Sequence, residues 1–171
     1  MSQMWRDMHH FHEKFLLPQC EVPSILEKEI HEFRFKFMHE ELAEFEDACE
    51  RKDLVKAFDA LIDLVYVAMG TAYLMNLPWD EGWLHVQTAN MAKVRAKHKG
   101  ESSRGSAYDV VKPEGWVAPE KMLLAEVLMH EHHLLIAKND RLRLEKLRFP
   151  ARTKMPEGAD GRVTEDDEDT I

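Results

Sequence analysis

Phe37-Met38-His39-Glu40-Glu41-Leu42-Ala43-Glu44-Phe45 and Phe58-Asp59-Ala60-Leu61-Ile62-Asp63-Leu64-Val65-Tyr66 are the two stretches that decide the fold. Ahead of the first, Leu26, Ile30, Phe33 and Phe37 recur at three- and four-residue steps, the period of one helix face, and the stripe continues onto Glu41, Glu44 and Ala48. The second lies in a run, 54–72, that is apolar on almost every face. Within it Asp59 and Asp63 stand one turn apart on a strip with Tyr66 and Gly70. Two consecutive helices therefore carry carboxylates on faces predicted to look inward. A buried, unpaired carboxylate costs several kcal/mol or takes up a proton. No Lys or Arg follows Lys56 in the second helix, so a divalent cation is the economical source of compensating charge.

Working outward, residues 4–16 read as a short helix with Trp5, Met8, Phe11 or His12, and Phe15 on one side, ended by Pro18. Ser24 with Glu27 three residues on forms a capping box, which predicts a long helix over 24–50. Arg51-Lys52-Asp53 makes a tight connection with Asp53 as the cap of the next helix, so the two long helices pack as an antiparallel hairpin. After Asn76-Leu77-Pro78, Trp83, Val86, Ala89 or Asn90, and Val94 predict a third core helix over 79–97. Residues 100–115 read as a Ser-, Gly- and Lys-rich loop, and 119–147 as a final helix. The expected organisation is an all-α antiparallel bundle over 1–118, a helical extension over 119–149 and an acidic tail over 150–171. One apolar, under-covered second helix also predicts a homodimer or homotetramer.

Composition narrows the function. The formal charge of -9 is concentrated in 157–171, where seven acids face Arg162 alone, and the body is nearly balanced. That argues against a protein that coats nucleic acid, though not against nucleotides as ligands. Cys20 and Cys49 match neither a disulfide framework nor a zinc spacing, and 1–12 lacks the apolar core of a signal peptide, so a reducing, cytoplasmic setting is expected. The apolar run over 61–75 contains Asp63 and is shorter than the roughly 20 residues that span a bilayer, so it reads as a buried helix. No membrane partner is expected, and no glycine-rich phosphate loop occurs.

Glu41 and Glu44 are three apart on a helix, about 5 to 6 Å between Cβ atoms, a reach that suits one or two hard cations. Oxygen ligands without nearby His or Cys favour Mg²⁺, with Mn²⁺ as a substitute, and Mg²⁺ commonly shares substrate phosphates. Glu40-Glu41-Leu42-Ala43-Glu44 followed by Asp59-Ala60-Leu61-Ile62-Asp63 resembles the EExxE and ExxD signature of the all-α nucleotide pyrophosphohydrolases. Asp63-Leu64-Val65-Tyr66, Gly70-Thr71-Ala72, Asn90-Met91-Ala92-Lys93 and Lys112-Pro113-Glu114-Gly115-Trp116 look like the MazG-like and phosphoribosyl-ATP branch, including phage-borne forms. The resemblance covers residues 11–119. It implies Mg²⁺-dependent cleavage of a nucleoside triphosphate to monophosphate and pyrophosphate, in a bacterial or phage-infected cytoplasm.

By the same resemblance Glu41, Glu44 and Asp63 are metal ligands. Ala60 stands where the family usually has an acid, and Asp59 is the residue that would take its place. Glu40 orients or deprotonates the attacking water or supports the ligands. Asn90 and Lys93, on one helix face with Lys97 continuing it, hold sugar and phosphate oxygens, and the segment from Lys112 to Trp116 is either a lid or a packed turn. A second enzymatic reading is phosphoribosyl-ATP hydrolysis in histidine biosynthesis. A reading of another class is a helical interaction protein without turnover, which Ala60 admits. A di-iron bundle ranks low, because no Glu-x-x-His pair occurs on the seam. His9-His10-Phe11-His12 and His130-Glu131-His132-His133 read as surface histidines.

Overall fold

The computed structural model describes residues 1–148, with side chains to residue 145. The chain is all-α as expected: α1 (Gln3–Lys14), α2 (Lys28–Glu50), α3 (Leu54–Leu74), α4 (Trp79–Met91) and α5 (Glu120–Arg148). Met1–Ala137 form one unit, and a second begins at Lys138, of which the last turns of α5 are described. Residues 120–137 thus group with the body. The expected acidic tail over 150–171 lies outside the described residues.

Local chemistry sets most helix ends. The Ser2 hydroxyl accepts from the Trp5 N–H at 3.2 Å and starts α1. Asp53 accepts from the Lys56 N–H at 3.1 Å and starts α3 after a turn in which Lys52 is left-handed (φ 58°). The Ser24 capping box does not form. Ser24 donates instead to the Val22 carbonyl at 3.0 Å, and α2 begins at Lys28 with Glu27 as a cap lacking a side-chain hydrogen bond. The cause is tertiary, because the segment is tied to the end of α3. The Cys20 and Ser24 N–H groups donate to the Leu74 and Met75 carbonyls at 2.8 and 3.1 Å, and Asn76 Nδ2 donates to the Cys20 carbonyl at 2.9 Å.

The antiparallel hairpin is the frame. Arg34, Glu41 and Ala48, spaced by seven, are the buried residues of α2, and Ala57, Ala60 and Val67 are buried on the facing helix. The stripe expected from sequence is therefore shifted. Phe33 is exposed, Phe37 half-buried, and Arg34 occupies the seam. Of the acids expected on it, only Glu41 is buried, while Glu40, Glu44, Asp59 and Asp63 flank the seam with exposed side chains. Met8 of α1 is held between Met69 and Tyr73, with Trp5 and Trp79 stacked alongside at 6.1 Å.

The third helix stops at Met91, short of the expected 97. Val94 and Arg95 form β1, paired antiparallel with Val110 and Val111 of β2, so part of the expected loop is a small ribbon. β-Branched valines suit this pairing better than a helix end. Asp109 fixes the intervening chain, accepting from Ser102 Oγ at 2.6 Å and Arg104 Nη1 at 2.9 Å.

At 21 residues α3 has the length and apolarity of a membrane-crossing segment, more than the run counted from residue 61. It carries Asp59 and Asp63, however, and one face packs along α2. The opposite face shows Leu54, Val55, Phe58, Leu61, Ile62 and Val65 to solvent, so the helix expected to be buried is half-covered. Met8 is 2 % exposed, and Met8→Ala is expected to cost about 2–5 kcal/mol through lost transfer energy and a residual cavity, read as a lowered midpoint in urea unfolding.

Candidate active site

The α2 heptad that buries Arg34 and Glu41 places a cation and an anion two turns apart on one face. Arg34 Nε donates to Thr71 Oγ1 at 2.9 Å and Nη2 to the Val67 carbonyl at 2.6 Å, so the guanidinium is pinned to the far end of α3. Gly70 makes room for it. A Cβ there would lie 3.0 Å from Arg34 Nη2 and 3.4 Å from His12 Cε1. Burial lowers the Arg34 pKa from its usual value, yet guanidinium stays charged.

Between α1, α2 and α3 is a cavity of about 200 Å³. Glu41 and Asp63 line it together with Arg34, His12 and Gly70, and the rings of Phe11, Phe37 and Tyr66 complete its wall. The Glu41 carboxyl is pushed above its ordinary value, first by burial and then by the charges of Asp63, Glu44, Glu40 and, last, Asp59. None of these five acids has an ion-pair or hydrogen-bond partner among the described residues. The donor set thus has the chemistry of a hard-cation site, all oxygen and uncompensated. The carboxylates stand apart, however: among the described residues no three His, Cys, Asp or Glu side chains are gathered closely enough to hold an ion. Ala60 is buried on the seam, and Asp59, exposed beside it, acts on Glu41 least of the four neighbours, so Asp59 is peripheral to the cluster.

The basic residues gather elsewhere. Lys93 Nζ donates to Asn90 Oδ1 at 2.8 Å, and the Lys93 and Lys112 ammonium groups lie 5.6 and 4.5 Å from the centroid of the Trp116 ring. Trp116 Nε1 donates to the Ala89 carbonyl at 2.7 Å, anchoring this turn on α4. Asn90, Lys93 and Lys112 therefore meet around one indole, and none of them lines the acidic cavity. Lys97 does not continue their face. It follows β1, where its N–H donates to Glu101 at 2.7 Å, because the helix expected to carry it has ended.

Sequence reasoning missed Arg34, Thr71 and His12 at the cavity. The signal for Arg34 was its seven-residue spacing from Glu41, masked by the stronger apolar stripe through Phe33. His12 is not the surface histidine expected: it is 3 % exposed, its ring 4.4 Å from that of Tyr73. Its Nδ1 donates to the Met8 carbonyl at 2.8 Å, and Nε2 is buried beside Gly70 without a well-formed hydrogen bond. The His12 pKa is lowered, chiefly by burial, with Arg34 acting in the same direction against the Met8 and Gly70 backbone.

The helical hairpin carries a domain of the MazG-like all-α nucleotide pyrophosphohydrolase superfamily. Residues 8–90 match the family model described as phosphoribosyl-ATP pyrophosphohydrolase, PRA-PH, and form a domain belonging to that family. The match takes in His12, Arg34, the five acids and Asn90, and ends before Lys93. No curated protein matches the chain.

A carboxyl whose folded pKa lies above its ordinary value of 4.5 binds its proton more readily in the folded state. Its contribution to stability is present below that value and is lost as pH rises through the raised one. In metal-free protein, Glu41→Gln is expected to raise the neutral-pH Tm, because it removes the carboxylate that folding disfavours. The same variant should flatten the fall in Tm between about pH 4.5 and neutrality, as followed by thermal melts across pH.

Proposed function

We propose that this domain is a Mg²⁺-dependent nucleotide pyrophosphohydrolase that cleaves a nucleoside triphosphate between the α and β phosphates. The observation that carries the reading is Glu41: a buried carboxylate among four others, with no ion-pair partner, lining a cavity. Glu41, Glu44 and Asp63 are the residues to hold Mg²⁺ or Mn²⁺, with Asp59 at the edge. A bound ion neutralises phosphate charge and lowers the pKa of water. Glu40, adjacent in sequence to Glu41 and exposed, accepts the proton of the attacking water. The water oxygen bonds to phosphorus, and the bridging oxygen leaves with the departing phosphates. Asn90, Lys93 and Lys112 offer one amide and two ammonium groups around Trp116 to sugar and phosphate oxygens.

The family match favours a second reading, in which the substrate is phosphoribosyl-ATP and the reaction belongs to histidine biosynthesis. Pyrophosphate release from ribo- and deoxyribonucleoside triphosphates and from phosphoribosyl-ATP, with Mg²⁺ or Mn²⁺, separates the two. Release from a triphosphate is expected, with Glu41→Gln lowering the rate by about 100-fold or more. Release from phosphoribosyl-ATP alone would assign the second reading. No release from any substrate would return the chain to an interaction protein.

The cytoplasm suits this chemistry, and the solvent-facing apolar row of α3 supports a homodimer or homotetramer in which copies cover one another. Phe58 is 64 % exposed at its centre. In sedimentation velocity the wild type is expected to run as a dimer or larger, and Phe58→Glu as a monomer. A monomeric wild type would remove the oligomer from this account.

A further inference from the structure

The near balance of charge in the body hides a local excess. Residues 93–112 hold six Lys or Arg against Glu101 and Asp109, in a chain whose formal charge is -9. This stretch is the ribbon of β1 and β2 with its connection, and the register fixes where the cations point. Arg95 stands opposite Val110, and continuing one pair beyond Val94 and Val111 sets Lys93 opposite Lys112. Both ammonium groups lie against the Trp116 ring, in keeping with that pairing. Side chains alternate across a strand. Ala96, 4 % exposed and donating its N–H to the Asp109 carbonyl at 3.0 Å, belongs to the covered face, which leaves Arg95 on the free one with Val110.

The acids of the ribbon are turned elsewhere. Asp109 accepts from Ser102 and Arg104, and Glu101 accepts from the Lys97 N–H at 2.7 Å with His98 at 3.7 Å. Glu114, exposed on the turn before Trp116, forms no ion pair with either lysine. Arg95, Lys97 and Lys99 are exposed and have no carboxylate partner among the described residues. Like charges directly opposite one another destabilise a ribbon, so an anion lying between Lys93 and Lys112 relieves a strain that the fold otherwise carries.

An aromatic ring narrows the choice of anion. Tyr108, two residues before Val110, is 91 % exposed and meets no other ring among the described residues. A bare ring beside cations adds nothing to the binding of an acidic polypeptide, whereas it offers a nucleobase a stacking surface. A duplex keeps its base faces covered, so the strand must be single. Lys93 and Arg95, two residues apart on extended chain, are separated by about 6–7 Å, comparable to successive phosphates of an extended strand. We propose that the free face of this ribbon binds single-stranded nucleic acid, with Lys93, Arg95 and Lys112 on phosphates and Tyr108 stacked on a base. Lys97 and Lys99 extend the positive field along the connection. Lys93 and Lys112 are shared with the nucleotide reading above, but Arg95 and Tyr108 are not, so the two ideas are separable.

The test is fluorescence anisotropy on the full chain with labelled oligo(dT) and oligo(U) of about twelve nucleotides, against a duplex of that length and inorganic polyphosphate of like charge. A single strand is expected to bind at about 50 mM salt, with log affinity falling against log salt at a slope of about -2, as three phosphate contacts require. Tyr108→Ala should weaken binding about tenfold and keep that slope, while Arg95→Ala should flatten it by about 0.7. Both side chains are exposed and lie outside the hydrolytic machinery, so each variant should keep the wild-type rate of pyrophosphate release. Absence of binding overturns the proposal. So does polyphosphate or duplex binding as tightly as the single strand, or Tyr108→Ala binding like the wild type. Strand binding by a chain that releases no pyrophosphate keeps the ribbon site and defeats the hydrolase reading, and release without strand binding does the reverse.

Discussion

A guanidinium drawn out of water must find acceptors, and Arg34 finds them on another helix. Its Nη2 reaches the Val67 carbonyl, already shared with Thr71 Oγ1, and its Nε reaches Thr71 itself. That reach is open because residue 70 is a glycine and leaves the helix surface bare. Losing these bonds would leave a buried guanidinium without acceptors, which is far costlier than losing an apolar contact. The register between α2 and α3 is thereby held. Glu41, two turns further along α2, is carried to the cavity wall with Asp63, and His12 is closed in from α1.

The site is thus electrostatically unbalanced by design of the frame. One end of the seam concentrates carboxylates with no cation among the described residues, and the other holds a fixed guanidinium whose bonds go to neutral acceptors. The acids repel one another, as the raised Glu41 carboxyl records, and the helices hold them together regardless. A ligand that brings positive charge to the acids relieves that repulsion. The cavity that Glu41 and Asp63 line also holds Arg34 and His12 between the rings of Phe11, Phe37 and Tyr66.

Lys93 and Lys112 gather on Trp116 beside Asn90, a cluster the sequence assembles only in part, because the motif from Lys112 to Trp116 fits a lid as well as a packed turn. Its indole bond to the Ala89 carbonyl makes it a packed turn in this structure. The α4 helix ends early because Val94 finds a β-partner at Val111, a pairing across a seventeen-residue separation that no local periodicity announces.

The sequence by itself determined the helical class, the hairpin with its Asp53 cap, the placing of carboxylates on consecutive helices and the family to which residues 8–90 belong. Those properties rest on period, turn chemistry and motif order, all local. Only the tertiary structure decided which member of each near-equivalent face is buried: Arg34 over Phe33, His12 over Phe11, and Glu41 alone among the acids. It also shifted the start of α2 away from Ser24. The physical reason is the same throughout. Arg34 goes inside because a hydroxyl and a carbonyl on another helix satisfy it, and His12 because α1 packs its ring against Tyr73; such contacts are set by how helices pack, which hydrophobic spacing along the chain does not encode.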